Sequence, residues 1–440
     1  MTLGGGTGRV SSGFRSSDRS LANVRPRSIL AYVSFTVLTV STLQPDTRRL
    51  ARALAAPQAT VEVLTTIAQY GALVVLLLCC APRNLASTKY LLAFYLSLGV
   101  SVLWSIDKAA SLRFTVLGVA TCLVVAGVAK ALSVNGLVKA GVGVLSLSMV
   151  LSLLAYRDFR YSIPTGIFTT RNELARYAVY AVAYAIFLWL WVSRTAWRVV
   201  ALGCAGLGVY VIVSAGSATS ILVVVALISM LLIQQLLRFV SLPTLAIVFS
   251  TLLAGLVASF PWLSSEVLGA LGKDDTLTGR TTIWSLAWAY IGERPFGGYG
   301  VAAFWDSEPG DAVRDVFGPY AVNAHNAWLD LFLSAGLLLG VLALVLFWAQ
   351  VLSPLRSSRQ VPARGQLAVL LTCMMALMTL VYSNVEAAVY RPMYGLTLLT
   401  LSLLVKLGNR LEEAHPRGGD TEDRSGRQPV PGSSSDAVGI

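Results

Sequence analysis

The sequence predicts an all-α fold: a polytopic integral membrane helix bundle of about 12 transmembrane helices, with one long outer loop containing a short amphipathic helix. Three observations carry this. Of 440 residues, 55% come from the set AVILMFWYC and only 13% are charged, whereas soluble domains average about 45–50% apolar and about 25% charged; the mean hydropathy is +0.69. The apolar residues are gathered into runs of roughly 17–23, the helical length that crosses about 30 Å of hydrocarbon. These runs lack the alternation over about ten residues that membrane-barrel strands require.

The elements follow in order. Residues 1–28 are rich in Gly, Ser and Arg with no apolar face, which predicts a disordered basic tail. The first apolar run reads as an uncleaved span, because Gln44, Pro45, Asp46 and Arg48 follow it in place of a small-residue cleavage site. Further spans centre near Ala72, Leu98, Leu123, Leu147, Tyr184, Gly208, Val225 and Leu252. Residues 29–263 thus hold spans 1–9, and 264–322 form the long outer loop. Residues 323–407 hold spans 10–12, near Leu339, Met375 and Leu398, and 408–440 read as a second disordered tail.

A net charge of +12 does not indicate nucleic acid, because the basic residues are scattered between spans and not gathered on a soluble domain. They read instead as topology signals. With an even number of spans both tails share one face, and their Lys and Arg residues assign it to the cytoplasm. Arg157, Arg160, Arg171 and Arg176 then fall in one outer connection, against the usual bias. An anionic ligand on that side would account for them; solvated loop charges are the alternative. The five cysteines all lie inside apolar runs without metal-ligand or redox spacing, and read as reduced packing residues.

The long loop is where a site is expected. A helix is predicted over 281–291, with Ile283, Trp284, Ala287, Trp288 and Tyr290 on one face. Such a face suits a helix lying at the membrane interface or one packed on the bundle. Arg280 is then a cation at a helix N-terminus, where the macrodipole disfavours positive charge and where an anion such as phosphate would resolve the conflict. Glu293-Arg294-Pro295-Phe296-Gly297-Gly298-Tyr299-Gly300 leaves helix at Pro295 and makes a tight turn. It is not a P-loop, since no Gly-Lys-Ser/Thr follows and no strand precedes. Of two histidines, His415 lies in the C-terminal tail, which leaves His325, in Asn323-Ala324-His325-Asn326, as the imidazole available to a site. It is either a hydrogen-bonded anchor or a general base: a neutral imidazole can take a sugar hydroxyl proton while arginines stabilise a departing diphosphate. One histidine without partners makes a poor metal site, so neither a metal nor another cofactor is expected.

Leu277-Thr278-Gly279-Arg280-Thr281-Thr282-Ile283-Trp284, the turn from Arg294 to Gly300, and Ala324-His325-Asn326 with Leu329, Gly336 and Gly340 form a series that resembles the O-antigen ligase and polysaccharide polymerase family. Ser101-Val102-Leu103-Trp104-Ser105-Ile106-Asp107 is similar to that family's early Trp-Ser motif. Gly166-Ile167-Phe168-Thr169-Thr170-Arg171-Asn172 resembles its second outer connection, notably in the exopolysaccharide polymerase branch. Ser214-Ala215-Gly216-Ser217-Ala218-Thr219-Ser220 resembles its serine-rich motif, with Ala218 where many members carry Arg or Lys. Arg171 follows Thr170 where a His-Lys pair is common.

The resemblance implies a metal-independent, inverting glycosyltransferase of the bacterial inner membrane, with its site facing the periplasm. Its donor would be an oligosaccharide on a polyprenyl diphosphate and its acceptor another lipid-linked glycan. Other polysaccharide export components are further expected partners. In this scheme His325 removes the acceptor proton and Arg280 acts with Arg171 on the diphosphate. Asn172, Asn326, Gly298 and Gly300, with Arg157, Arg160 and Arg176, lie along the donor. Ligation to a lipid A core is the near alternative. A transporter or flippase of lipid-linked sugar is the alternative of a different class, though the inverted repeats such proteins carry are not evident here.

Overall fold

The computed structural model describes residues 26–43, 46–82, 84–155, 165–192, 194–236, 276–318, 321–356, 363–385 and 390–413. Among the described residues there are helices and no strands. The first nine are α1 (Pro26–Ser41), α2 (Thr47–Ala53), α3 (Gln58–Cys80), α4 (Lys89–Gly99), α5 (Lys108–Ala131), α6 (Val134–Leu154), α7 (Arg171–Trp191), α8 (Thr195–Ala215) and α9 (Ala218–Leu236). The long loop contributes α10 (Thr276–Glu293) and α11 (Glu308–Phe317), and α12 (Ala327–Val351), α13 (Ser353–Arg356), α14 (Ala363–Ser383) and α15 (Gly395–Glu413) follow.

Eleven of the expected spans coincide with helices: α1, α3 to α9, α12, α14 and α15. The span expected near Leu252 lies outside the described residues. Eight of the described helical segments are long and apolar enough by themselves to cross a membrane. The expected tails differ at their inner edges. α1 begins at Pro26, where proline at a helix start costs no backbone bond, and α15 runs on to Glu413 because Leu411 is buried and extends its apolar face. The rest of both tails lies outside the described residues.

The bundle is ordered from the inside out. Beyond its polar first turns, which hold Arg171, Asn172, Glu173 and Arg176, α7 is apolar all round and buried along nearly its whole length, flanked by α6 and α8, as expected of a helix at the centre of a large core. Its alternating Ala and Tyr residues pack against small partners. Tyr184 lies over Gly141 of α6 so closely that a Cβ there would collide with the ring, the close-approach packing typical of membrane helices. α3 is peripheral and turns Val63, Leu64, Ile67 and Leu78 outward, where hydrocarbon is their solvent.

Hydrogen bonds fix which connections share an end. The Asp46 N–H donates to the Ile167 carbonyl (2.7 Å) and the Gly395 N–H to that of Thr42 (3.0 Å). Trp328 Nε1 donates to Asn384 Oδ1 at 3.1 Å, and the Ser220 and Tyr382 hydroxyls lie 3.4 Å apart. The starts of α2, α7, α9, α12 and α15 are thereby gathered at one end. At the other end Gln350, near the close of α12, donates to the Ser87 carbonyl and accepts from the Leu91 N–H at the start of α4. The connections expected on the outer side are those of the first end.

Candidate functional site

The long loop and the start of α12 share a core distinct from that of the bundle: Ala287, Ile291, Tyr299, Phe304, Val313, Ala321, Ala324, Leu329 and Leu333. The Phe304 ring meets Tyr290, Tyr299 and Trp305 edge-on at about 5 Å, the geometry that ring quadrupoles favour. Of the two readings open for α10, packing on the protein holds: Ile283, Ala287 and Ile291 are buried, while Trp288 is half exposed. α10 starts at least five residues earlier than expected. Arg280 is therefore inside the helix, one turn before Trp284, and not at its N-terminus. Thr278 and Gly279 are poor helix formers in isolation, but packing of the face that follows carries the helix through them.

Behind α10, α12 is broken at Gly336, whose φ of 73° and ψ of 178° are not helical. The glycine turn fills the break. The Tyr299 N–H donates to the Leu333 carbonyl (2.8 Å), the Gly300 N–H to that of Ser334 (2.9 Å), and the Leu337 N–H to that of Pro295 (2.7 Å). The carbonyls and N–H that a broken helix would strand in an apolar setting are thus satisfied. Gly298, with φ 62°, lies so close that a Cβ would press on the Leu333 carbonyl. The Trp-Ser motif clamps the same turn from the far side. Trp104 Nε1 donates to the Gly297 carbonyl (2.6 Å), the Val301 N–H to Ser101 Oγ (3.0 Å), and Ser111 Oγ to the Val301 carbonyl (2.6 Å). Gly298 and Gly300 are buried in this joint, and their role in the structure is to let two backbones meet. The Tyr299 hydroxyl donates to Glu293 at 2.9 Å, and burial together with that carboxylate pushes its pKa above the usual phenol range.

His325 follows directly. It is partly buried and takes a left-handed backbone, φ 48°, which costs a non-glycine residue about 1–2 kcal/mol. Its neighbours hold it there. The His325 N–H donates to Asn323 Oδ1 at 2.7 Å. Ala324, just before it, donates its N–H to Asp330 Oδ1 (3.1 Å) and accepts from Trp284 Nε1 (2.9 Å). Asn326 caps α12, its Oδ1 accepting from the N–H groups of Trp328 and Leu329. Its Oδ1 is therefore engaged in starting the helix.

The four arginines of the earlier connection divide. Arg157 and Arg160 lie outside the described residues. Arg171 is the first residue of α7 and partly exposed, with Asn172 beside it. Thr170 caps that helix by accepting from the Glu173 N–H, and Glu173 reaches back to Thr169, a near relative of the capping box. Arg176 points inward and is 4% exposed. Its Nη2 donates to the Tyr394 hydroxyl at 2.9 Å, with Glu173 at 3.7 Å. Tyr180, Thr379, Tyr382 and Tyr394 share with Arg176 the lining of a small cavity in the bundle. Ser217 and Ser220 of the serine-rich turn reach this cluster through Tyr382.

Two participants escaped sequence reading. Asp330, 5% exposed, accepts from Trp305 Nε1 at 2.8 Å and from the Ala324 N–H beside His325. An acid inside an apolar run was the signal for it, since such residues in spans are costly. Arg391, in the connection that leads into α15, carried no signal of its own. Among the described residues no cluster of three or more His, Cys, Asp or Glu could hold a metal ion.

An all-helical, multi-pass membrane protein with arginines and a clamped histidine gathered at one end is the class that fold and site define. Residues 203–347 match the family described as O-Antigen ligase, a stretch containing the serine-rich turn, Arg280, the glycine turn and His325. The chain is also 25% identical over 275 residues to the exopolysaccharide production protein ExoQ of Rhizobium meliloti (strain 1021). That alignment covers 58% of this chain and 62% of the relative, so the chain spans less than two thirds of the relative's length. The likeness to O-antigen ligases and exopolysaccharide proteins, read first from motifs, is borne out.

Proposed function

We propose that the protein is a membrane-embedded glycosyltransferase that polymerises polyprenyl-diphosphate-linked oligosaccharide repeat units into a surface or exopolysaccharide on the outer face of the bacterial inner membrane. One observation carries the reading: an imidazole held in a strained backbone at the helix-bundle end where Arg280 and Arg171 also lie. In the proposed step His325 takes the proton of an acceptor hydroxyl while its oxygen attacks the anomeric carbon. The bond to the diphosphate breaks with inversion, and the electron pair leaves with the diphosphate. Arg280 and Arg171 are the cations that neutralise it, as bidentate donors suited to phosphate oxygens. No metal is required in this scheme.

Ligation to a lipid A core or other acceptor is the second reading, favoured by the description of the family matched over 203–347. Purified protein supplied with one defined lipid-linked repeat separates them. A ladder of lengths supports polymerisation, and a single transfer to another acceptor supports ligation. Return of the lipid-linked unit unchanged but moved across a vesicle membrane would replace both with a transporter. Cysteine labelling at Asp311 from the periplasmic side tests the orientation; labelling only from the cytosolic side would separate the site from its donor and sink the scheme.

A further inference from the structure

Asp330 presents a physical problem that the glycosyl-transfer scheme leaves unused. It lies in the first turn of a mostly apolar helix, α12, and is almost wholly buried. An ionised carboxylate there costs several kcal/mol of desolvation unless its surroundings compensate. Both its donors, Trp305 Nε1 and the Ala324 N–H, converge on one oxygen, Oδ1. The carbonyl oxygen of an asparagine would accept the same two bonds without the desolvation cost of an ion. Anchoring the loop therefore does not explain why the residue is an acid.

The charge has a neighbour that can use it. Asp330 holds the N–H of Ala324, the residue before His325, which sets its carboxylate beside the loop that carries the imidazole. We propose that Asp330 is a positioning residue for His325. Through Oδ1 it sets the loop that carries the imidazole, and through its negative charge it stabilises the imidazolium formed when the acceptor proton arrives. The carboxylate keeps its own charge throughout, and the proton passes from His325 to solvent after the diphosphate has left. The Trp305 and Ala324 N–H groups offset part of the cost of burying the charge. This inference rests on reading His325 as the general base.

The test uses the full chain in lipid nanodiscs with a defined polyprenyl-diphosphate-linked repeat, measuring kcat, KM and thermal stability together. Asp330→Asn keeps both accepted bonds and removes only the charge. It is expected to leave KM within about twofold and to lower kcat about 100-fold, in the range by which acid–base assistance contributes. A variant that melts normally with wild-type kcat overturns the proposal and leaves Asp330 an anchor. Should Asp330→Asn fail to insert, Asp330→Glu and Asp330→Gln have equal length and differ in charge: Glu at least about tenfold faster supports the proposal, and equal rates overturn it. Full activity of His325→Ala alone defeats the general-base reading instead, so the two failures are distinguishable.

Discussion

Trp284 donates its indole N–H to the carbonyl of Ala324 at 2.9 Å, across 40 residues of chain. That bond joins α10, one turn beyond Arg280, to the residue preceding His325. With the Ala324 N–H given to Asp330, both polar groups of one peptide neighbour are fixed, and the strained His325 backbone is held from two elements. Trp284→Phe keeps a ring and deletes the donor. We expect it to cost about 1–3 kcal/mol, the penalty of a part-buried carbonyl left unmet, and to lower transfer more than expression. Thermal unfolding in detergent and the rate of glycan extension check this; unchanged values for both would mean the bond holds nothing.

His325→Ala is expected to abolish glycan extension while the protein still inserts and folds. The neighbours that set the loop, Asn323 and Asp330, accept from backbone N–H groups that remain when the ring is removed, so the loop retains this clamp. Long polymer persisting in membranes that carry this variant, at normal protein level, would end the general-base assignment.

For Arg280 the informative change is to Lys, which keeps the charge and loses the planar fork that grips two phosphate oxygens at once. A loss of activity of at least about tenfold is expected, with KM for the lipid-linked donor rising. Because the residue lies one turn into α10 and is partly exposed, Lys should fold as well as Arg. Wild-type kinetics would reduce Arg280 to a topology charge.

Much of this was legible in the sequence, for physical reasons that also explain what was not. A bilayer demands about 20 apolar residues per crossing, so spans such as those around Leu123 and Met375 announce themselves. His325 stood out because the chain has two histidines. The start of α10 was misread because Thr278 and Gly279 suggest a boundary that tertiary packing overrides. Arg176 looked like its neighbour Arg171, yet five residues along a helix turn it toward Tyr394 and the core. Trp104 and Gly297 lie 193 residues apart, and no local pattern announces such a contact. The Trp-Ser motif and the glycine turn were each visible; that one is the seat of the other was not.

The break in α12 yields the last prediction. Glycine is common in membrane helices, so Gly336, although part of the family-like series, gave no sign of a break, yet its φ of 73° with ψ of 178° is a region that other residues almost never enter. A Cβ there would also run into the backbone of Phe296 and Gly297. Gly336→Ala therefore faces strain on the order of 1–3 kcal/mol from the backbone alone, plus the collision. Relaxing into continuous helix would remove the strain, but it would expel the glycine turn and strand the N–H groups of Tyr299 and Gly300, now given to Leu333 and Ser334. Neither route is cheap, so the variant is expected to melt several degrees lower and to expose the turn at Gly297 to proteolysis, while Gly340→Ala, within the regular part of the helix and crowded by the Phe332 side chain in place of a backbone, costs less. Equal melting of the two would show that the break is not needed to seat the turn.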